Sequence, residues 1–287
     1  MCMNPSALRE DLRRHFNETC LDLDSSPPSE LHHYTCPAAF RNIITSQRIW
    51  CTDICRVNDT REGDCGLEVI RSVVQRKSVP REFLEAIASS GDLFGLKRIC
   101  TSYISSFASG LEQPRMWTEY AARGSGCAII FDYGELLTGA VGGENYALVQ
   151  MLYDRQAQLA KVEQIVDFAI QLQRHHSLSS HDAIQFWIEE VAFSLFNFGM
   201  MCKDTRWSPE RESRIVVFDG ENVAPFLDEN KRLRVALPFA RGAIVRVVRG
   251  PEARNDLQVE CIQEMLRQAG YAKDLPIVDA KCGIRPS

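Results

Sequence analysis

Two carboxylates stand close together late in the chain. Glu210 and Glu212 lie in Trp207-Ser208-Pro209-Glu210-Arg211-Glu212-Ser213-Arg214, which runs into Ile215-Val216-Val217-Phe218. On an extended segment, residues i and i+2 share a face. The spacing therefore predicts both acids together at the mouth of an apolar strand, with Lys203 and Arg206 upstream and Arg214 after them. Such a pair can hold a ribose hydroxyl with one carboxylate and activate a nucleophile with the other. It stabilises the positive charge that develops as a glycosidic bond loosens. The plainer reading is a charged strand opening paired with Arg211, Arg214 and Lys203, a surface arrangement that contributes little stability.

A second group lies far upstream. In His33-Tyr34-Thr35, alternation gives His33 and Thr35 one polar face and Tyr34 the other. These two polar side chains can meet a sugar opposite the late acids, or simply edge a solvated strand. Ser105-Ser106-Phe107 ends a strand, where small hydroxyls line a nucleotide pocket or cap a turn. Trp117 and Tyr120, spaced i, i+3, stack a base or plug the core. Asn58-Asp59 with Glu62 reads as a helix cap. His33, Cys36, Cys51 and Cys55 do not form the paired CxxC set of a structural zinc site, so no metal is expected. Lys231-Arg232-Leu233-Arg234, with Arg241, Arg246 and Arg249, is locally basic and reads as a solvated sheet face rather than a nucleic-acid groove.

These residues need elements to hold them. Leu8, Leu12 and Phe16 predict an N-terminal helix within residues 1–24, stopped by Ser25-Ser26-Pro27-Pro28-Ser29. Strands are expected at 31–35, 47–52, 99–107, 127–131, 148–153, 214–218, 233–237, 243–249 and 276–278. Helices are expected at 37–46, 67–75, 80–89, 157–174, 181–201 and 258–269, with a short turn or helix at 116–122. In 181–201 the stripe Ile184, Trp187, Ile188, Val191, Leu195 and Phe198 reads as core. Strands fall on both sides of two long helices without strict alternation. That pattern favours an α+β fold with a mainly antiparallel core over a doubly wound sheet. Neither GxGxxG nor GxxxxGK[ST] occurs.

Composition bounds the rest. The chain has 287 residues, 45% hydrophobic and 25% charged, with net charge −5 and pI about 5.8. This is ample for a packed core and argues against a general polyanion binder. No apolar run reaches the ~18 residues of a membrane span, and the polar N-terminus lacks a signal-peptide core. Eleven cysteines, an odd number without a framework, read as reduced thiols. The expected location is cytoplasmic, without a membrane partner.

Read in order, the HYT start at 33–35, the ND..E turn at 58–62, Ser106-Phe107, the W..Y turn at 117–120 and the W..E.E.R opening at 207–214 resemble a bacterial family of uncharacterised domains. The similarity covers roughly residues 30 to 280. That family in turn resembles the ADP-ribosyltransferase superfamily. The resemblance implies a split antiparallel β-sandwich with helical insertions: an N-terminal helix and linker over 1–29, then one domain over 30–287 with a helical insert near 155–202. It implies NAD as substrate, with Glu212 catalytic and Glu210 assisting. His33, Tyr34, Thr35, Ser106, Phe107, Trp117, Tyr120, Lys203 and Arg214 would hold the dinucleotide. The implied reaction is transfer of ADP-ribose, or hydrolysis of NAD, by a toxin or phage-defence effector. The acceptor is left open among protein, nucleic acid, small molecule and water. The alternative is a module of the same fold that binds NAD or ADP-ribose without turnover.

Overall fold

The periodicities become helices and strands in a computed structural model that describes residues 5–21, 28–54, 63–89, 102–109, 113–139, 146–218, 223–254 and 257–282. The expected cap at Asn58, Asp59 and Glu62, most of the linker, Cys55 and residues 99–101 lie outside these residues. Contacts gather the chain into two compact units.

The helical unit draws on Met1–Ser26, Cys55–Thr101 and Val149–Pro209, so the N-terminal helix falls in the same unit as the long helices of 155–202. It contains α1 (Pro5–Phe16), α3 (Asp64–Val74), α4 (Arg81–Ser89), α7 (Arg155–His175), α8 (Ser180–Phe186) and α9 (Ala192–Gly199). Leu8, Leu12 and Phe16 are buried, as their i, i+4, i+8 spacing requires. Asp154 starts α7 by accepting the Ala157 N–H at 2.7 Å, and Ser179 starts α8 by accepting the Asp182 N–H. A π-helical turn, Trp187–Val191, joins α8 to α9. Its wider turn rotates Ile188 out to 40% exposure while Trp187, Val191, Leu195 and Phe198 stay buried. Where α3 meets α9, a Cβ on Gly66 would stand 2.3 Å from the Gly199 carbonyl oxygen, so the approach requires glycine.

The second unit, Pro27–Ile54, Ser102–Leu148 and Glu210–Ser287, carries nearly all of the sheet. Its strands are β1 (Glu30–Thr35), β2 (Arg48–Asp53), β3 (Ser102–Ala108), β4 (Cys127–Asp132), β6 (Glu212–Phe218), β7 (Phe226–Leu227), β8 (Leu233–Pro238), β9 (Ile244–Arg249) and β10 (Ile277–Asp279); β5 (Tyr146–Gln150) begins in this unit. The order is β10-β9-β4-β1-β3-β2-β8-β7, with β6 along the other edge of β3 and β5 beside β6. Only β9 and β10 run parallel among the registered pairs. The fold is α+β with a large, mostly antiparallel sheet.

One detail of this topology sets up the site. On the same edge of β3, β1 pairs at Ala108 and β2 pairs at Tyr103 and Ile104. Between these two contacts, at Ser105-Ser106-Phe107, β1 and β2 part.

Alternation then sorts the sheet faces. Leu31, Phe107, Ile129, Phe131 and Ile215 look to one side, where α2 (Pro37–Ser46), α6 (Tyr133–Gly139) and α10 (Val259–Gln268) supply Phe40, Ile44, Leu136, Ile262 and Leu266. Tyr34, Ala108, Ala128, Ile130 and Val248 look to the other, where α5 (Pro114–Tyr120) supplies Met116 and Trp117. Pro114 at the first turn of α5 costs no hydrogen bond, since that N–H has no helical partner.

Candidate functional site

The two acids are buried but do not share one extended segment. Glu210 closes the 3-10 turn Thr205–Glu210, and β6 begins only at Glu212. Between them Arg211 adopts a left-handed backbone, φ 44°. Its carbonyl accepts from both the backbone N–H and the hydroxyl of Ser109, each at 2.9 Å. This bend breaks the simple i, i+2 geometry expected from the sequence.

Beyond the bend, alternation does pair Glu212 with Arg214. Arg214 donates from Nε to Glu212 Oε1 at 2.6 Å and from Nη2 to Oε2 at 3.1 Å, a bidentate fork. Their side chains are only 7% and 3% exposed. Glu210 is buried too, and Tyr120, itself 46% exposed, donates its hydroxyl to Glu210 Oε1 at 3.4 Å. The arrangement offers two buried carboxylates, one clamped by a guanidinium and one reached from the surface by a phenol.

Register shows what faces them. Arg246 pairs with Ile130, Ile130 with His32, His32 with Ala108 and Ala108 with Glu212. Residues directly opposite on neighbouring strands share a face, so Arg246, His32 and Glu212 lie in one row across five strands. Glu30 completes the row's polar end: Arg246 donates to both its oxygens at 2.6 and 2.5 Å, and Glu30 Oε2 stands 3.9 Å from His32 Nε2.

The imidazole on the face of Glu212 is therefore His32, not the expected His33. His33 and Thr35 point to the opposite, core-packed face; Thr35 is buried, and the His33 ring lies 5.4 Å from Phe107. His33 is nevertheless at the split. Its Nδ1–H donates to the Ser106 carbonyl at 3.2 Å, on the stretch of β3 where β1 and β2 part. Burial lowers the His33 pKa from its ordinary value, and the Ser106 bond opposes this in part. A neutral imidazole with its proton on Nδ1 carries its lone pair on Nε2. Ser106 is exposed and sits opposite Arg214 on the Glu212 face.

The remaining expected residues divide by role. Trp117 is wholly buried and meets Tyr34 edge-on at 4.9 Å, so these two rings are packing rather than a surface for a base. Phe107 is core as well. Lys203 belongs to the helical unit, with its ammonium 5.2 Å from the Trp207 ring centre.

A family described as a protein of unknown function (DUF2971) matches residues 116–215. No curated protein and no solved structure matches the chain. The matched segment includes Trp117, Tyr120, Lys203, Glu210, Glu212 and Arg214, and leaves out His32, His33 and Ser106.

His32 and Glu30 are not among the site residues expected from the sequence, and Arg246 figures there only as part of a solvated basic sheet face. Two consecutive histidines on a strand must face opposite ways, so one of them shares the sheet face of Glu212. Which one depends on the β1–β3–β6 register, and no local signal encodes that. Among the described residues no three His, Cys, Asp or Glu side chains gather as metal ligands, and no helix is long and apolar enough to cross a membrane.

Proposed function

We propose that the chain is an NAD-dependent ADP-ribosyltransferase whose chemistry centres on Glu212 and Glu210. The observation that supports this most is the pair of buried carboxylates beside Arg214 and Tyr120, next to the stretch of β3 where β1 and β2 diverge. The resemblance of the ordered motifs to the ADP-ribosyltransferase superfamily supplies the substrate.

On this reading the ribose C1′–nitrogen bond breaks and nicotinamide leaves as a neutral base, taking the bonding electrons. Positive charge then spreads over the ribose ring carbon and oxygen, where the Glu212 carboxylate stabilises it. A bond forms from C1′ to an acceptor oxygen or nitrogen, and Glu210 takes the proton that the acceptor loses. Arg214 holds Glu212 in one orientation. With water as acceptor, the same steps amount to NAD hydrolysis.

A second reading is favoured by the fork itself. Both Glu212 oxygens are engaged by Arg214, an arrangement suited to a module that binds NAD or ADP-ribose without turnover. Purified protein mixed with NAD separates the two. Nicotinamide accumulating with time supports the transferase. A raised melting temperature with NAD but no nicotinamide supports the binding module. Neither a shift nor a product contradicts both.

A further inference from the structure

On the face of the sheet shared by Glu212, the β2–β8–β7 end carries a second group of residues. Arg48, Trp50 and Thr52 alternate onto that face of β2. Thr52 pairs with Arg234 and with Ile104, and Arg234 pairs with Phe226. Trp50 is 42% exposed. Phe226 meets it edge-on at 5.3 Å, and the Arg234 guanidinium lies 5.8 Å from its ring centre. Arg234 is itself fixed by Asp228 at 2.9 Å and by the Thr52 hydroxyl. The ring is thus packed against its neighbours while keeping exposed surface, and Arg48 is exposed two residues away on the same face. The adjoining β7–β8 turn adds Lys231 and Arg232, so four cations stand against two carboxylates, Asp228 and Glu229.

We propose that this face binds single-stranded nucleic acid, with one base stacked on Trp50 and a neighbouring phosphate on Arg48. An aromatic platform with cations beside it suits an unpaired base, because every base offers a π-face and every nucleotide a phosphate. A duplex hides its base faces within the stack and offers this platform only its backbone. An isolated nucleotide is better served by a concave site than by an open sheet face. The proposal stands apart from the NAD reading, because binding is measured without NAD.

The test is fluorescence anisotropy of a labelled oligothymidylate with the full chain at low salt. Trp50→Ala is expected to weaken binding roughly 5- to 150-fold, the range of one lost base stack. Trp50→Phe, which keeps a ring, should retain most of the affinity. Arg48→Gln should make the slope of log affinity against log salt shallower by about 0.7, one phosphate's share on a single strand. These two variants carry the test if Trp50→Ala fails to fold. The proposal is overturned by absence of binding at low salt, by equal affinity in wild type, Trp50→Ala and Arg48→Gln, by a duplex competing as well as the single strand, or by thymidine monophosphate displacing the probe at matched nucleotide concentration.

Discussion

Arg214 and Glu212 depend on each other. Both are buried, so removing one takes the fork's two hydrogen bonds from the other's charge in a poorly solvated place, a loss of about 3–5 kcal/mol. Arg214→Met is therefore expected to lower the urea midpoint sharply, while Arg214→Met with Glu212→Leu recovers most of the loss. Equal midpoints for wild type and Arg214→Met would show that the fork holds nothing. His33 brings a pH dependence whose sign follows from its burial. Its folded pKa lies below the ordinary 6.5, chiefly through burial, so between the two values the unfolded chain binds more protons. The stability linked to His33 is complete above about pH 6.5 and is lost as pH falls below that unfolded value. His15 shifts the same way, so His33→Gln should reduce, not abolish, the fall in denaturation midpoint between neutral and mildly acidic pH. Burial also pushes the Cys51 thiol up to about 12 and raises Cys127 well above its ordinary value. Iodoacetamide on the native protein should then label exposed Cys261 well before either.

At the scale of elements, local pattern carried most of the fold. The helix over 37–46 forms at the expected residues, because Pro37 can start it and Phe40, Ile43 and Ile44 share a face. β1, β4, β8 and β9 form within a residue or two of expectation for the same reason. Two short elements, α6 and β7, had no signal: seven and two residues are too few for a period to show. The site was half legible. That Glu212 and Arg214 would share a face follows from alternation alone. That the backbone would bend between Glu210 and Glu212 follows from one left-handed residue, Arg211, which carries no glycine or asparagine signature. Arg211→Gly should therefore be neutral or slightly stabilising, whereas the β-branched Arg211→Val should lose about 1–2 kcal/mol in a denaturation titration. In the helical unit, Gly66→Ala forces a methyl against the Gly199 backbone and should cost about 1–3 kcal/mol.

For the molecule as a whole, long-range pairing mattered more than composition. Net charge −5 argues against bulk binding of polyanions, yet cations and Trp50 concentrate at one end of a sheet face whose other end carries Glu212. Both ends are built from strands distant in sequence, and only the shared register brings them onto one face. The central claim is that Glu212 acts on the glycosidic bond of NAD. Nicotinamide release by wild type and by Glu212→Gln, at protein concentrations corrected for folded fraction, tests it most directly. A rate at least 100-fold lower in Glu212→Gln, the lower end of what one catalytic carboxylate supplies, with NAD still shifting the melting temperature, is the predicted result; equal rates in the two proteins would contradict it.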